Sequence, residues 1–259
     1  MHPYHQDETA LLFYGDALDV FRGLWTERPE TPPVAAVCID PPYASGARTE
    51  ATKSRSGAMV RGQRWNARPI ENDQMTTVGF VWFVRELLRL LVPRMVDGAS
   101  LLCWIDWRQW PHLAGAVESC NLRLCNMLVW DKESFGLGNG FRVQHELILH
   151  AGKGTPRIFD RDVPNVLRHP RPSNDNHPSP KPVALCRDLL RVVTAPGDLV
   201  VEPCCGCGPY TLAARDLGRR AVACDVVAGY LDHLAGELRR MDRLQRLALL
   251  AAIHEMGTR

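Results

Sequence analysis

The sequence predicts an α/β fold in which a mostly parallel sheet carries helices on both faces. Short apolar runs rich in β-branched residues alternate with amphipathic runs, the pattern of strands joined by crossover helices. Two of the apolar runs stop abruptly at an acid followed by proline, Asp40-Pro41 and Glu202-Pro203. With 259 residues, of which 46% are hydrophobic and 23% charged, the chain can bury one full core. We therefore expect a single domain over residues 1–259.

The spacing of apolar residues predicts the individual elements. Strand patterns occur at 34–39, 99–105, 123–130, 145–150, 199–201 and 220–224. Helical spacing occurs at 80–92, 110–120, 182–193, 210–217 and 228–250. Two tracts without apolar periodicity, 44–70 and 151–180, are predicted to be loops, the first of them mobile.

Composition restricts the cellular setting. No stretch approaches the roughly 18 consecutive apolar residues of a membrane span, and residues 1–10 are polar, unlike a secretory leader. The nine cysteines include Cys204, Cys205 and Cys207, which lie too close together to pair with one another. We therefore expect a reduced, cytoplasmic protein without a membrane partner. The cysteines lack the C-x-x-C spacing of zinc sites, so no metal is expected.

Charge is unevenly distributed along a chain whose net charge is only +2. Residues 44–70 hold six basic residues against one acidic residue, and residues 153–187 hold seven against three. The remaining chain is therefore acidic. Two basic loops on an acidic body indicate a polyanionic partner, although solvated loops without a partner would have the same composition.

A glycine-containing turn after the strand at 199–201 is the first candidate ligand site. Gly206 and Gly208 precede a predicted helix, so the backbone can approach a ligand beside free helix N–H groups. Glu202 at the strand end could hold an ammonium group, and Asp225, about 20 residues later, could hold a ribose diol. A tight turn that merely requires glycine is the alternative.

The second candidate site is the segment Asp40-Pro41-Pro42-Tyr43 at the end of the strand at 34–39. Prolines lack N–H donors, so the carbonyl oxygens beside them can face the amino group of a ligand. An acid and a flat aromatic ring stand next to these carbonyls. The set suits a planar base with an exocyclic amino group, and a proline-terminated strand with a core tyrosine is the alternative.

Taken together, six segments resemble the amino-group DNA methyltransferases that use S-adenosylmethionine and have the permuted "beta" motif order. In chain order they are Gly15-Asp16 within 14–18, Asp40-Pro41-Pro42-Tyr43, residues 128–132, the turn 135–141 with His145-Glu146, residues 177–182, and the turn 202–208. The resemblance spans about residues 11–235. Glu202 replaces the family's Asp, and Cys207-Gly208-Pro209-Tyr210 replaces its Ser-Gly-Thr-Thr.

The resemblance implies a Rossmann-like class I methyltransferase fold with circularly permuted motif order and S-adenosylmethionine as cofactor. Asp16 would contact the adenine of the cofactor, Asp225 its ribose, and the turn its methionine part. The implied cofactor-binding residues are Asp16, Ala17, Asp40, His177, Lys181, Pro182, Glu202, Pro203, Cys204, Cys205, Gly206, Gly208 and Asp225.

The implied reaction transfers a methyl group to the exocyclic amino group of a base flipped out of double-stranded DNA, adenine N6 for the DPPY form. Tyr43 would stack on the base, and Asp40 and the Pro41 carbonyl would accept its amino hydrogens. The implied catalytic residues are Asp40, Pro41, Pro42 and Tyr43.

DNA recognition would fall to basic loops at about 44–79 and 151–176, because no separate recognition domain has room. The residues expected to contact DNA are Arg48, Lys53, Arg55, Arg61, Arg64, Arg68, Arg142, Arg168 and Arg171. The apolar stripe of the last helix would permit a homodimer.

Several alternatives stay open at this stage. The target could be cytosine N4, or the same chemistry could act on RNA or protein. The altered cofactor turn also allows an inactive DNA-binding relative. If the protein is a DNA adenine methyltransferase, a restriction-modification setting is expected, and a methyltransferase without a restriction partner is the alternative. Trp104, Trp107 and Trp110 are interpreted as core or cover rather than as a base-stacking row.

Overall fold

The computed structural model describes residues 1–43, 75–136, 140–173 and 179–257. Nine strands are described: β1 His5–Gln6, β2 Ala10–Tyr14, β3 Val34–Ile39, β4 Met95–Ile105, β5 Arg123–Asp131, β6 His145–Gly152, β7 Val166–Arg168, β8 Leu199–Pro203 and β9 Arg220–Asp225. The described helices are α1 Ala17–Glu27, α2 Thr77–Leu91, α3 Trp110–Glu118, α4 Val183–Val193, α5 Pro209–Asp216 and α6 Ala228–Gly257, with a 3-10 turn at Val92–Arg94.

The strands form one sheet in the order β1-β2-β9-β8-β3-β4-β6-β5-β7. The five strands that are adjacent in the sheet as β2-β9-β8-β3-β4 pair in parallel. Strand β6 runs antiparallel to both β4 and β5, and β7 is parallel to β5. As a result, the carboxyl ends of β2, β9, β8, β3, β4, β5 and β7 lie along the same side of the sheet. We call this side the carboxyl edge, and it is where open α/β sheets bind ligands.

Each face of the sheet is covered by helices. One face packs against α1, α2 and α3 through residues such as Phe21, Leu88 and Leu113. The other packs against α4 and α5 through Leu189 and Ala213, and against α6 over β2 and β9. Because β3 is covered on both faces, all six of its residues are buried and its sequence shows no polar alternation.

These features confirm the predicted fold class. The strand predicted at 34–39 coincides with β3, and the other predicted strands and helices occur with ends shifted by up to four residues, except that α6 continues to Gly257 instead of ending at residue 250. The largest shift at a helix start is in α2, which begins at Thr77 rather than residue 80 because the Thr76 side chain accepts the Gly79 N–H and caps the helix. No helix in the described ranges is long and apolar enough to cross a bilayer.

Two predicted loops need correction, and one stretch without a predicted element is structured. The segment 151–180 is not structureless, because β6 extends to Gly152 and Val166–Arg168 forms β7. The recognition loop at 44–79 is too long, because its last three residues are the first turn of α2. Residues 44–74 lie outside the described ranges. The first 33 residues, for which no element was predicted, contain β1, β2 and α1.

Candidate active site

Four charged side chains from separate parts of the chain meet at the carboxyl edge, and we call them the charge cluster: Asp40, Lys132, Glu146 and Lys181. Asp40 directly follows β3, Lys132 follows β5, Glu146 lies near the start of β6, and Lys181 precedes α4. Lys181 Nζ lies 2.9 Å from Asp40 Oδ2 and 3.2 Å from Glu146 Oε2. Lys132 Nζ lies 2.5 Å from Glu146 Oε1. Two carboxylates therefore alternate with two ammonium groups.

Tyr43 is tied into this cluster by its hydroxyl. The Tyr43 O–H is placed 2.8 Å from Asp40 Oδ1 and 3.3 Å from Glu146 Oε2. Its ring lies beneath the Lys181 ammonium, which is 5.5 Å from the ring centroid. Sequence analysis expected Tyr43 as a stacking ring, and the structure adds a hydrogen-bond donor that orients Asp40.

The protonation of the cluster reflects burial and the pairing of opposite charges. Burial raises the pKa of Asp40, and Lys181 offsets only part of that rise. Burial also opposes the ionised form of Glu146, but Lys181 and Lys132 outweigh it and lower its pKa to about 2. The pKa of Lys181 is raised, because its two carboxylate partners outweigh the burial that alone would lower it. Asp40 is thus the better proton acceptor of the two acids.

Aromatic residues surround the buried Lys181. Its ammonium lies 5.2 Å from the Trp104 ring centroid, and Trp104 donates its indole N–H to Tyr210 Oη at 2.9 Å. Trp130 packs edge-on against Trp104 at 5.8 Å. Trp104 is therefore a wall of the site rather than a base-stacking residue, in agreement with its interpretation as core. Trp107 is exposed.

The glycine turn begins where β8 ends, next to the end of β9 and two strands from β2 along the same edge. Three of its residues have left-handed backbone: Cys204 with φ 57°, Gly206 with φ 53° and Gly208 with φ 68°. At Gly208 a Cβ would lie 2.4 Å from the Leu234 side chain. Glycine is therefore required there by both conformation and space.

Glu202 is placed differently from the sequence expectation of an ammonium ligand. Its Oε1 accepts the Tyr210 N–H at 3.0 Å, and its Oε2 accepts the N–H and hydroxyl of Thr211 at 2.7 and 2.6 Å. Both oxygens thus cap the first turn of α5, a role that suits a carboxylate at a helix N-terminus. Burial raises the pKa of Glu202 to about 8.

Asp225 and Asp16 lie at the ends of the neighbouring strands β9 and β2. Asp225 accepts the Gly206 N–H at 2.7 Å and the Val227 N–H at 2.9 Å, so it shapes the glycine turn. Asp16 caps α1 by accepting the Leu18 N–H at 2.8 Å, and it is followed by the buried Ala17.

The turn lies close to the charge cluster along the carboxyl edge, because β8, where the turn begins, is paired with β3, which Asp40 follows. Burial raises the pKa of the Cys204 thiol, and the carboxylates of Asp225, Asp40 and Asp16 add to that rise. These three acids from three strand ends therefore act on the same point. Such a set suits a ligand that carries positive charge.

The remaining predicted site residues divide into three groups. Pro41, Pro182, Pro203 and Cys205 are buried around the site, and Pro42 is half-buried. Arg142, Arg168 and Arg171 are exposed; Arg168 faces Asp131, with 3.6 Å between Nε and Oδ2. Outside the described ranges lie Arg48, Lys53, Arg55, Arg61, Arg64, Arg68 and His177. Among the described residues, no three of His, Cys, Asp or Glu are grouped to hold a metal ion.

Sequence reasoning missed Lys132 and Glu146 as site residues, although it quoted both within motifs. The signal that could have found them is a charge at the end of an apolar strand: Lys132 follows 123–130, and Glu146 precedes the buried Leu147. A charged side chain next to a buried strand needs a partner of opposite charge, and Lys132 and Glu146 can serve as partners for each other.

Comparison with known proteins connects this geometry to a protein class. Residues 162–236, which include Lys181 and the glycine turn, match the family model of the N6/N4 type described as DNA methylase. YubD of Escherichia coli K12, named provisionally as a methylase, is 25% identical over 223 residues, or 85% of each chain.

Solved structures show the same fold. The M1.HpyAVI complex with S-adenosylmethionine superimposes with a TM-score of 0.65 and 17% identity, covering 88% of this chain and 98% of that one. The cytosine-N4-specific PvuII DNA methyltransferase superimposes with a TM-score of 0.68 and 15% identity, covering 90% and 87%. The chain thus has the Rossmann-like fold of these methyltransferases, and its segment 162–236 matches the N6/N4 DNA methylase family.

Proposed function

We propose that the protein is a DNA methyltransferase that moves a methyl group from S-adenosylmethionine to the exocyclic amino group of a flipped-out base, adenine N6. The observation that carries this proposal is the placement of Asp40. Its carboxylate stands at the carboxyl edge, oriented by Lys181 at 2.9 Å and by the Tyr43 hydroxyl at 2.8 Å. The family match over residues 162–236 and the shared fold support it.

Asp40 performs its function as a positioned acceptor. A carboxylate has about four lone-pair positions, and Lys181 and Tyr43 occupy two of them. The others can accept the amino hydrogens of the base, together with the carbonyl of Pro41, which directs the nitrogen lone pair away from Asp40. Because burial raises the pKa of Asp40, the carboxylate is also suited to take the proton that the nitrogen loses as its new bond forms.

The residues around the glycine turn fit S-adenosylmethionine. When bound, this cofactor supplies the methyl group on a positively charged sulfur. Asp225 and Asp16, at the ends of β9 and β2, would hold its ribose and adenine, and Gly206 and Gly208 would let the turn approach its methionine part.

The test is methyl transfer from labelled S-adenosylmethionine to unmethylated double-stranded DNA, followed by nucleoside mass analysis of the product and sequencing of the modified positions. The control is Asp97→Asn, which changes an aspartate in the amino-terminal half of β4. We expect N6-methyladenine with wild type and with the control, and none with Asp40→Asn.

Other products identify the alternatives. N4-methylcytosine would keep the mechanism and overturn the choice of base. Transfer to RNA or protein but not DNA would overturn the substrate. Cofactor binding without transfer to any of these substrates would contradict an active enzyme.

A further inference from the structure

Phe141 is the most exposed large apolar side chain among the described residues, with a relative exposure of 109%. It lies in the hairpin between β5 and β6, after Gly140 and before Arg142. Leaving a whole phenylalanine ring in water forgoes the free energy that its burial would give. A ring held this way gains that energy only when a partner covers it.

The hairpin grows directly out of the charge cluster. The Lys132 N–H donates to the Gln144 carbonyl at 3.0 Å, and the ion pair between Lys132 and Glu146 closes its base. Glu146 and Phe141 are five positions apart, which even fully extended chain spans in at most about 17 Å. The Phe141 backbone therefore lies on the carboxyl edge within about that distance of the Glu146 backbone.

The hairpin is braced beside this ring. The Arg142 guanidinium stacks 4.0 Å from the Phe135 ring centroid, and its Nε donates to the Gly136 carbonyl at 2.7 Å. The Gly136 N–H in turn donates to the Val143 carbonyl at 2.9 Å. Arg142, which sequence analysis assigned to DNA contact, thus stabilises the hairpin that presents Phe141.

We propose that Phe141 inserts into the DNA base stack at the space that the target base leaves, an inference that rests on the proposed function. Flipping a paired base costs a few kcal/mol, and proteins offset unstacking by placing apolar side chains between bases. The exposed Arg168 ends β7, and the exposed Arg171 follows it on the same edge, so both can contact the phosphates that flank the gap.

The experiment uses two synthetic duplexes that carry the sequence modified by wild type. In one the target base is paired, and in the other it faces an abasic position, so that flipping breaks no base pair. Single-turnover methyl transfer is measured for wild type, Phe141→Ala and the control Phe159→Ala. Phe159 is also exposed and faces an arginine, Arg157, but its segment is bonded to Gly98, near the opposite end of β4.

We expect Phe141→Ala to slow transfer on the paired duplex roughly 30-fold, which is about 2 kcal/mol at 1.36 kcal/mol per tenfold change. On the abasic duplex it should stay within about threefold of wild type, and Phe159→Ala should match wild type on both. An unchanged melting temperature would show that the variants fold.

The other outcomes contradict the insertion. Equal losses on both duplexes would place the ring against the flipped base instead of in the gap. Wild-type rates on both, with a lower sedimentation coefficient, would show that Phe141 contacts a second copy of the chain. If wild type methylates no DNA, the proposed function fails together with the insertion; if only Phe141→Ala behaves like wild type, the insertion alone fails.

Discussion

Lys181 Nζ lies 2.9 Å from Asp40 Oδ2, so the segment before α4 is joined to the end of β3 by a nearly buried ion pair. The same ammonium reaches Glu146 Oε2 at 3.2 Å. Without this cation, two carboxylates would lie close together with only Lys132 to balance them. Lys181 is therefore the residue that favours the ionised form of Asp40 and orients it, and its replacement should change how the reaction depends on pH.

Lys181→Met should raise the pKa of Asp40, because the cation that opposes the effect of burial is removed. If transfer needs ionised Asp40, the acidic limb of its pH-rate profile should move to higher pH by about one unit or more. Breaking a buried pair should also lower the free energy of unfolding by about 3–5 kcal/mol. Methyl-transfer rates from pH 5 to 9 measure the position of the acidic limb, and urea unfolding measures the free energy of unfolding.

Lys153→Met is the matched control, because the Lys153 ammonium donates to the Val92 and Met95 carbonyls, away from the site. It should leave the pH-rate profile in place. If Lys181→Met fails to fold, Lys181→Arg is tested instead. It keeps the positive charge, so the acidic limb of its pH-rate profile should lie at the wild-type position. A wild-type profile in folded Lys181→Met would contradict the role of Lys181.

Asp40→Ala should reduce methyl transfer by about 100-fold to 1000-fold, the usual loss when a positioned group that stabilises developing charge is removed. Cofactor affinity should change less than about threefold, because Asp225 and Asp16 hold the predicted contacts. Calorimetric titration with S-adenosylmethionine and single-turnover transfer separate the two quantities. Retained turnover would exclude Asp40 from the reaction.

Tyr43→Phe isolates the hydroxyl from the ring. It removes the 2.8 Å hydrogen bond to Asp40, so transfer should fall about tenfold, as expected for one hydrogen bond to a charged group. Methyl transfer by Tyr43→Ala should be slower still, because this substitution also removes the proposed stacking ring. Tyr4→Phe, which removes the hydrogen bond from the Tyr4 hydroxyl to Asp232, is the control. Equal rates for Tyr43→Phe and wild type would show that the hydroxyl does not orient Asp40.

The sequence was most informative where one local pattern determines one element. The β3 strand has six consecutive apolar residues cut off by Asp40-Pro41, and its ends were predicted correctly. In contrast, β2 has five residues and gains its stability by pairing with β9 from the far end of the chain. The three-residue β7 depends on its pairing with β5 in the same way. Such partners are not visible in a local window.

The site was predictable at the level of strand ends but not of side-chain partners. Asp40, Asp225 and the glycine turn were predicted from position alone, and the structure places them on one edge. That Glu202 caps α5 could not be read from the sequence, because the direction of its side chain depends on how α5 packs. The ion pairs of Lys181 with Asp40 and Glu146 likewise join three segments that are distant in the chain.

Glu202 should make stability depend on pH. Its folded pKa is about 8, raised by burial above the ordinary 4.5. The folded protein therefore binds more protons than the unfolded chain between about pH 4.5 and 8, so the free energy of unfolding should fall as pH rises through that window. Glu202→Gln should flatten the fall, because the amide does not ionise.

Urea unfolding at pH 5, 6.5 and 8.5 measures this dependence for wild type and variant. The difference in unfolding free energy between them should shift in favour of Glu202→Gln by a few kcal/mol from pH 5 to 8.5. Asp198→Asn, a partly exposed acid on the opposite side of β8, is the control. A constant difference across the three pH values would show that Glu202 does not titrate in this window.

The exposed Arg171 should contribute to DNA affinity through phosphate contact. Each neutralised phosphate adds close to one to the slope of log affinity against log salt concentration. Arg171→Gln should therefore weaken binding at low salt and reduce that slope by about one, with little change in which sequence is modified. Arg187→Gln removes an arginine that is already paired with Asp216 and should leave the slope unchanged. Fluorescence anisotropy of a labelled duplex between about 50 and 200 mM salt measures the slope for each protein. An equal slope for Arg171→Gln and wild type would place the DNA elsewhere on the carboxyl edge.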